Sequence, residues 1–111
     1  MRFFRVNLGG EGEEPGVLNQ QSRWIAGPNW RSSRGGLTFW ELVQAGHQFL
    51  IADNIDLPIP DDSVDEVLTN AIPPVDSVTH LGPTVQTSEI RRILKPGGRW
   101  IHDGLLVYTK P

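Results

Sequence analysis

Every apolar run in this 111-residue chain is short, and each is closed by residues that turn or break the backbone. Phe3-Phe4-Arg5-Val6-Asn7-Leu8 stops at Gly9-Gly10, Gln48 to Ala52 stops at Asp53, and Val64 to Thr69 stops at Asn70. Arg99 to His102 stops at Asp103-Gly104, after which Leu105 to Thr109 begins. These are strand lengths, too short for buried helices. Two intervening segments carry helical spacing instead. Thr38-Phe39-Trp40-Glu41 has the spacing of a capping box, with Phe39, Leu42 and Val43 sharing a face and Gly46 placed to end the helix. Within Thr84 to Leu94, Ile90, Ile93 and Leu94 follow the i, i+3, i+4 rule, and Pro96-Gly97-Gly98 stops the pattern. Asp103-Gly104 is a two-residue hairpin signal, so Leu105 to Thr109 folds back antiparallel on the strand before it. The alternation predicts one α/β domain over residues 1–111, a mostly parallel sheet with helices on its faces and an antiparallel C-terminal strand. Ligands of such sheets sit beyond the carboxyl ends of the strands, where Gly9-Gly10, Asp53 and Asn70 fall.

Composition excludes several function classes. The chain has no Cys, which removes disulfides, thiolate metal sites and cysteine nucleophiles, and its three His are widely separated. No apolar run approaches the roughly 18 residues of a membrane span and no signal-peptide core opens the chain, so the expectation is a cytoplasmic protein with no membrane partner. A net charge of −3 argues against a bulk polyanion binder, yet the charge is uneven. No Lys or Arg stands between Arg34 and Arg91, an interval that holds Glu41, Asp53, Asp56, Asp61, Asp62, Asp65, Glu66, Asp76 and Glu89 and reads as an acidic surface. Arg23, Arg31 and Arg34 lie instead among Trp24, Trp30, Ser32, Ser33 and paired glycines. That segment reads as a long loop whose two Trp plug onto the core, with a ligand lid or a nucleic-acid contact as the alternatives.

Two blocks carry a family resemblance. Asp53-Asn54-Ile55-Asp56-Leu57-Pro58-Ile59-Pro60-Asp61-Asp62-Ser63-Val64-Asp65-Glu66-Val67-Leu68-Thr69-Asn70, with Glu89-Ile90-Arg91-Arg92-Ile93-Leu94-Lys95-Pro96-Gly97-Gly98-Arg99-Trp100-Ile101, resembles the second half of a class I S-adenosylmethionine-dependent methyltransferase. The amino end, Asn7-Leu8-Gly9-Gly10 with Pro15-Gly16 and Asn19, is similar to the variant cofactor loop in which a short segment replaces a long first helix. The resemblance implies a Rossmann-like sheet and S-adenosylmethionine as cofactor. It also implies roles: backbone around Asn7, Leu8, Gly9 and Gly10 beside the methionine part, Asn19 in the cofactor loop, and Asp53, Asn54 and Leu57 beside the adenine. Asn70 and Ala71 would line the floor near the sulfonium. Departures accompany it. Asn7 replaces an acidic residue common two places before the first glycine, and Gln20 and Gln21 stand where an acid usually accepts the ribose hydroxyls, which removes charge assistance.

The residues themselves favour the same cofactor. Gly10-Glu11-Gly12 lacks a third glycine at position 15, and Glu11, Glu13 and Glu14 would repel a dinucleotide pyrophosphate, whereas a sulfonium and an ammonium tolerate an acidic loop. No catalytic residue is assigned. Asp76 and His80 are candidates for a general base pair, an imidazole oriented by a carboxylate, although a solvated loop explains them as well. Asn70 to Pro74 is faintly similar to the proline-pair motif of amino-group methyltransferases, with the wrong spacing and no aromatic. His102 reads as structural, His47 as a surface residue after a helix end, and Asp61, Asp62 and Asp65 as local caps rather than a metal cluster. Arg91, Arg92 and Lys95 read as cations at a helix C-terminus.

Such methyltransferases commonly continue past strand five with a helix and two strands, so this sequence reads as a minimal form in which the Asp103-Gly104 turn leads directly to the neighbouring antiparallel strand. Its exposed sheet edge suggests a homodimer or a larger partner chain. The alternative functions are a non-catalytic cofactor-binding or interaction module and a toxin-like effector acting on nucleic acid.

Overall fold

In the computed structural model, residues 3–11, 16–53, 56–70, 74–75 and 85–111 are described, with backbone alone at 74–75 and 85–86. Six strands form the main sheet: β1 (Arg5–Leu8), β2 (Leu18–Gln21), β3 (Gln48–Ile51), β4 (Val64–Thr69), β7 (Leu94–His102) and β8 (Leu105–Thr109). Their order is β3-β2-β1-β4-β7-β8, all parallel except β8, which runs antiparallel to β7. A separate parallel pair, β5 (Pro74–Val75) and β6 (Val85–Gln86), lies outside this sheet.

Parallel neighbours usually need a crossover of about a dozen residues or more. Here β1 and β2 pair with only residues 9–17 between them, and the described part of that connection contains no helix. β2 was not foreseen: Leu18-Asn19-Gln20-Gln21 is too polar to read as a strand. Its amides are nonetheless buried, because they bond inside the fold. The 3-10 turn Arg23–Ala26 was also missed.

Alternation along the strands builds two cores. Val6 and Leu8 of β1, Leu50 of β3 and Val67 of β4 point to one face, where they pack with Leu57, Ile59, Ile90, Ile93 and Trp100. Phe49 points to the other face and meets Ile25, Trp30, Phe39 and Leu42. The first helix, α1 (Phe39–Gln44), carries the expected capping box, with both Thr38–Glu41 bonds in place. It ends as a Schellman turn: Gly46 at φ 96° donates to Val43 and His47 to Leu42. Val43 proves exposed rather than part of the apolar face.

The second helix, α2 (Thr87–Ile93), is shorter than Thr84 to Leu94, since residues 85–86 pair as β6 and Leu94 already pairs with Val64 of β4. Pro96-Gly97-Gly98 does not separate helix from strand but forms a register shift within β7, where Gly97 sits at φ 83°. The hairpin is as expected, Asp103 and Gly104 both having positive φ, 49° and 83°.

Charge is less superficial than the sequence suggests. Glu66 is buried between cross-strand neighbours, accepting from Arg5 Nε at 3.0 Å and Arg99 at 2.9 Å. Arg92 is not merely a helix-end cation. Its guanidinium bonds both Glu89 oxygens, Asp61 and the carbonyls of Leu57 and Ile59, while Glu89 Oε1 accepts the Leu57 N–H at 2.7 Å. The two sequence blocks that carry the resemblance are therefore one physical unit, a turn gripped by a helix. Asp65 and Asp62 are likewise held at long range, by Lys95 and Lys110. Among the described residues, no helix is long and apolar enough to cross a membrane.

Candidate functional site

Register places the carboxyl ends of the parallel strands in one row with the amino end of the antiparallel β8. Leu50, Gln20, Leu8, Thr69, His102 and Leu105 are successive partners across the sheet. One step further lies a rim formed by Ala52-Asp53, Gln21-Ser22, Gly9-Gly10-Glu11, Asn70 and Asp103. β1 and β4 are neighbours at its centre, the chain having moved outward through β2 and β3 before crossing back.

The glycine turn is shaped from below. Asn7 and Asn19 are cross-strand partners, both buried, with Asn19 Nδ2 donating to the Gln48 carbonyl at 3.0 Å. A Cβ on Gly10 would stand 2.6 Å from Asn19 Oδ1 and 2.7 Å from Asn7 Nδ2, so Gly10 is required by this amide pair. Gln20 Oε1 accepts the Gly9 N–H at 3.1 Å and its Nε2 donates to Ala52 at 2.6 Å. Gln21 Nε2 donates to the Gly9 carbonyl at 3.0 Å. These two amides thus tie β1, β2 and β3 together at the rim, which commits the groups expected to meet a ribose. Glu11 accepts from the N–H and hydroxyl of Ser33, fastening the 22–37 segment to the loop after β1.

Of the expected site residues, Gly9, Gly10, Asp53 and Asn70 reach the rim, Asp53 and Asn70 as exposed side chains. Asn7, Leu8, Asn19 and Leu57 are buried, so their side chains hold the fold. Asn54, Ala71, Asp76 and His80 lie outside the described residues. An open depression lined by Phe3, Phe4, Arg5, Gly16, Leu18 and Gln48 lies at the amino ends of β1, β2 and β3, away from the rim.

Sequence reasoning missed a partly buried relay beside Asn70. Trp100 Nε1 donates to Thr69 Oγ1 at 2.9 Å, and that hydroxyl stands 2.7 Å from His102 Nδ1. His102 Nε2 lies 3.4 Å from Asp103 Oδ2. Only the pairing of Thr69 with His102 across β4 and β7 brings these groups together, and no local motif announces it. His47, expected at the surface, has a buried Nδ1 without a hydrogen-bond partner.

Comparison with known proteins finds no matching family model, no matching curated protein and no matching solved structure. What the rim can do is read from its own chemistry. Among the described residues its charged side chains, Glu11, Asp53 and Asp103, are all acidic, Glu11 being bonded to Ser33 and Asp103 lying beside His102, and that sign suits a cationic ligand and disfavours a pyrophosphate.

Proposed function

We propose that this Rossmann-like domain binds S-adenosylmethionine at the rim and transfers its methyl group. The observation that carries the reading is the set of rim carboxylates around a glycine turn, at the point where the strand order reverses between β1 and β4. A sulfonium and an ammonium suit that field. Asp53, exposed at the end of β3, is the acceptor offered to the adenine edge, and Asn70 after β4 stands toward the transferring methyl. In the transfer an acceptor lone pair forms a bond to the methyl carbon as the carbon–sulfur bond breaks, sulfur leaves as a neutral thioether, and the acceptor sheds its proton. Positioning supplies most of such a rate.

Asp53→Ala should weaken S-adenosylmethionine binding by about 1–3 kcal/mol, with the circular dichroism unchanged. Asp61→Ala, whose carboxylate lies mostly in solvent beside Arg92, is the control and should bind as wild type. Equal calorimetric affinities for wild type and Asp53→Ala would remove Asp53 from the site. A second reading, a non-catalytic interaction module, draws on the Gln20 and Gln21 amides, which are spent on backbone partners instead of being left for a ribose. No binding of cofactor by folded wild-type protein would favour it.

A further inference from the structure

Among the described residues, the basic side chains fall into two groups. Arg5, Arg92, Lys95, Arg99 and Lys110 each pair with a carboxylate, and Arg91 lies 5.5 Å from the Tyr108 ring centre. Arg23, Arg31 and Arg34 are exposed, and among the described residues none of them has a carboxylate within ion-pair distance. They are also the only charged residues between positions 15 and 40. An anion-poor segment of charge +3 therefore stands in a chain of net charge −3.

Aromatic exposure follows the same segregation. Trp30 plugs onto the smaller core as expected, but Trp24 does not: it meets Trp30 edge-on at 6.0 Å and is 59% exposed. Trp40 packs edge-on against Phe39 of the same core and is 63% exposed. Two indoles thus flank one apolar cluster with much of their surface in water, an arrangement that costs hydrophobic free energy unless something covers them. Among the described residues the nearby acids are Glu41, whose carboxyl is held low mainly by the Thr38 N–H and more weakly by Arg31, and Glu11, which is bound to Ser33.

We propose that the 22–40 segment is a docking surface for single-stranded nucleic acid. Bases stack on Trp24 and Trp40, and Arg23, Arg31 and Arg34 take the phosphates. Arg31 also donates to the carbonyls of Pro28 and Trp30, which holds its guanidinium on this segment, and cations interleaved with exposed indoles meet the backbone charge and the base faces of one polymer together. Because Ser33 is bonded to Glu11, the polymer would lie beside the rim, and as methyl acceptor it rests on the reading above. Its binding does not.

The test titrates single-stranded 12-mer oligonucleotides of uridine and of thymidine, followed by tryptophan fluorescence, with heparin as a polyanion lacking bases. Wild type should bind both oligonucleotides with quenching. For three phosphate contacts, log affinity should fall against log salt with a slope of about −2. Trp24→Ala should bind roughly 5- to 150-fold more weakly with the slope retained. Arg31→Gln should reduce the slope by about 0.7. Absence of binding at low salt would overturn the proposal, as would heparin binding that matches the oligonucleotides while Trp24→Ala binds both like wild type. Cofactor titration of the same preparation separates the two readings: a protein that binds S-adenosylmethionine but no oligonucleotide loses only the polymer.

Discussion

Replacing Arg92 by Lys should break the unit that joins the 57–61 turn to α2. The guanidinium serves two carboxylates and two backbone carbonyls at 2.7–3.0 Å. An ammonium keeps the charge but has three donors at one point and cannot span those acceptors. Hydrogen bonds to charged groups are worth about 1.5–3 kcal/mol each when buried. Two corrections apply. The Asp61 side chain is 71% exposed, so that pair contributes little, and Arg92 itself is 30% exposed, so water recovers part of the loss at the carbonyls. What remains is the carbonyl clamp and one arm of the Glu89 pair, about 2–3 kcal/mol in all. At roughly 4–6 °C per kcal/mol for a domain of this size, the thermal midpoint should fall by about 10–15 °C. Calorimetry of Arg92→Lys beside Asp61→Ala is the assay, the latter staying within about 0.5 kcal/mol of wild type. An Arg92→Lys midpoint within about 2 °C of wild type would refute the clamp.

Three further expectations are independent of that one. Arg92 holds the Glu89 carboxyl below its ordinary value of 4.5 against the opposing effect of burial, so the folded form binds this proton less readily than the unfolded chain. That stabilisation is present above about pH 4.5 and is lost as pH falls through the lower folded value; Glu89→Gln should flatten the acid limb of stability against pH, and an unchanged limb would contradict the assignment. Gly104→Val should cost about 1–3 kcal/mol purely through its φ of 83°, since a Cβ there meets nothing within 4 Å; urea unfolding that matches wild type would remove the strained turn. Thr69→Val leaves Trp100 Nε1 without its acceptor and should cost about 1–3 kcal/mol, more than Thr69→Ser, which keeps the hydroxyl; the reverse ranking in chemical denaturation would sink the relay.

What was legible in the sequence is what local chemistry dictates. Thr38 and Glu41 announce a capping box because its partners are three residues apart, and Asp103-Gly104 announces a hairpin because both positions need positive φ. Val64 to Thr69 reads as a strand because it is a short apolar-bearing run closed by Asn70. The larger failures are non-local, whereas the 3-10 turn Arg23–Ala26, closed by Ile25 donating to Ser22 and Gly27 to Trp24, is a local miss. β2 owes its place to Gln20 and Gln21 bonding across the glycine turn, and propensity carries no trace of that. Glu66 is inside because Arg5 and Arg99 happen to flank it in register. At the rim, the glycine turn and the strand-end polar residues were readable from punctuation alone. The burial of Asn7 and Asn19 was not, since their side chains face a core instead of a ligand only once β1 and β2 are paired.

Isothermal titration of the folded chain with S-adenosylmethionine, and with its demethylated product, tests the central claim most directly. The rim predicts saturable binding of both ligands, with the sulfonium form gaining from the acidic side chains and losing part of that advantage as salt is added. A folded protein that takes up neither ligand would contradict the cofactor site.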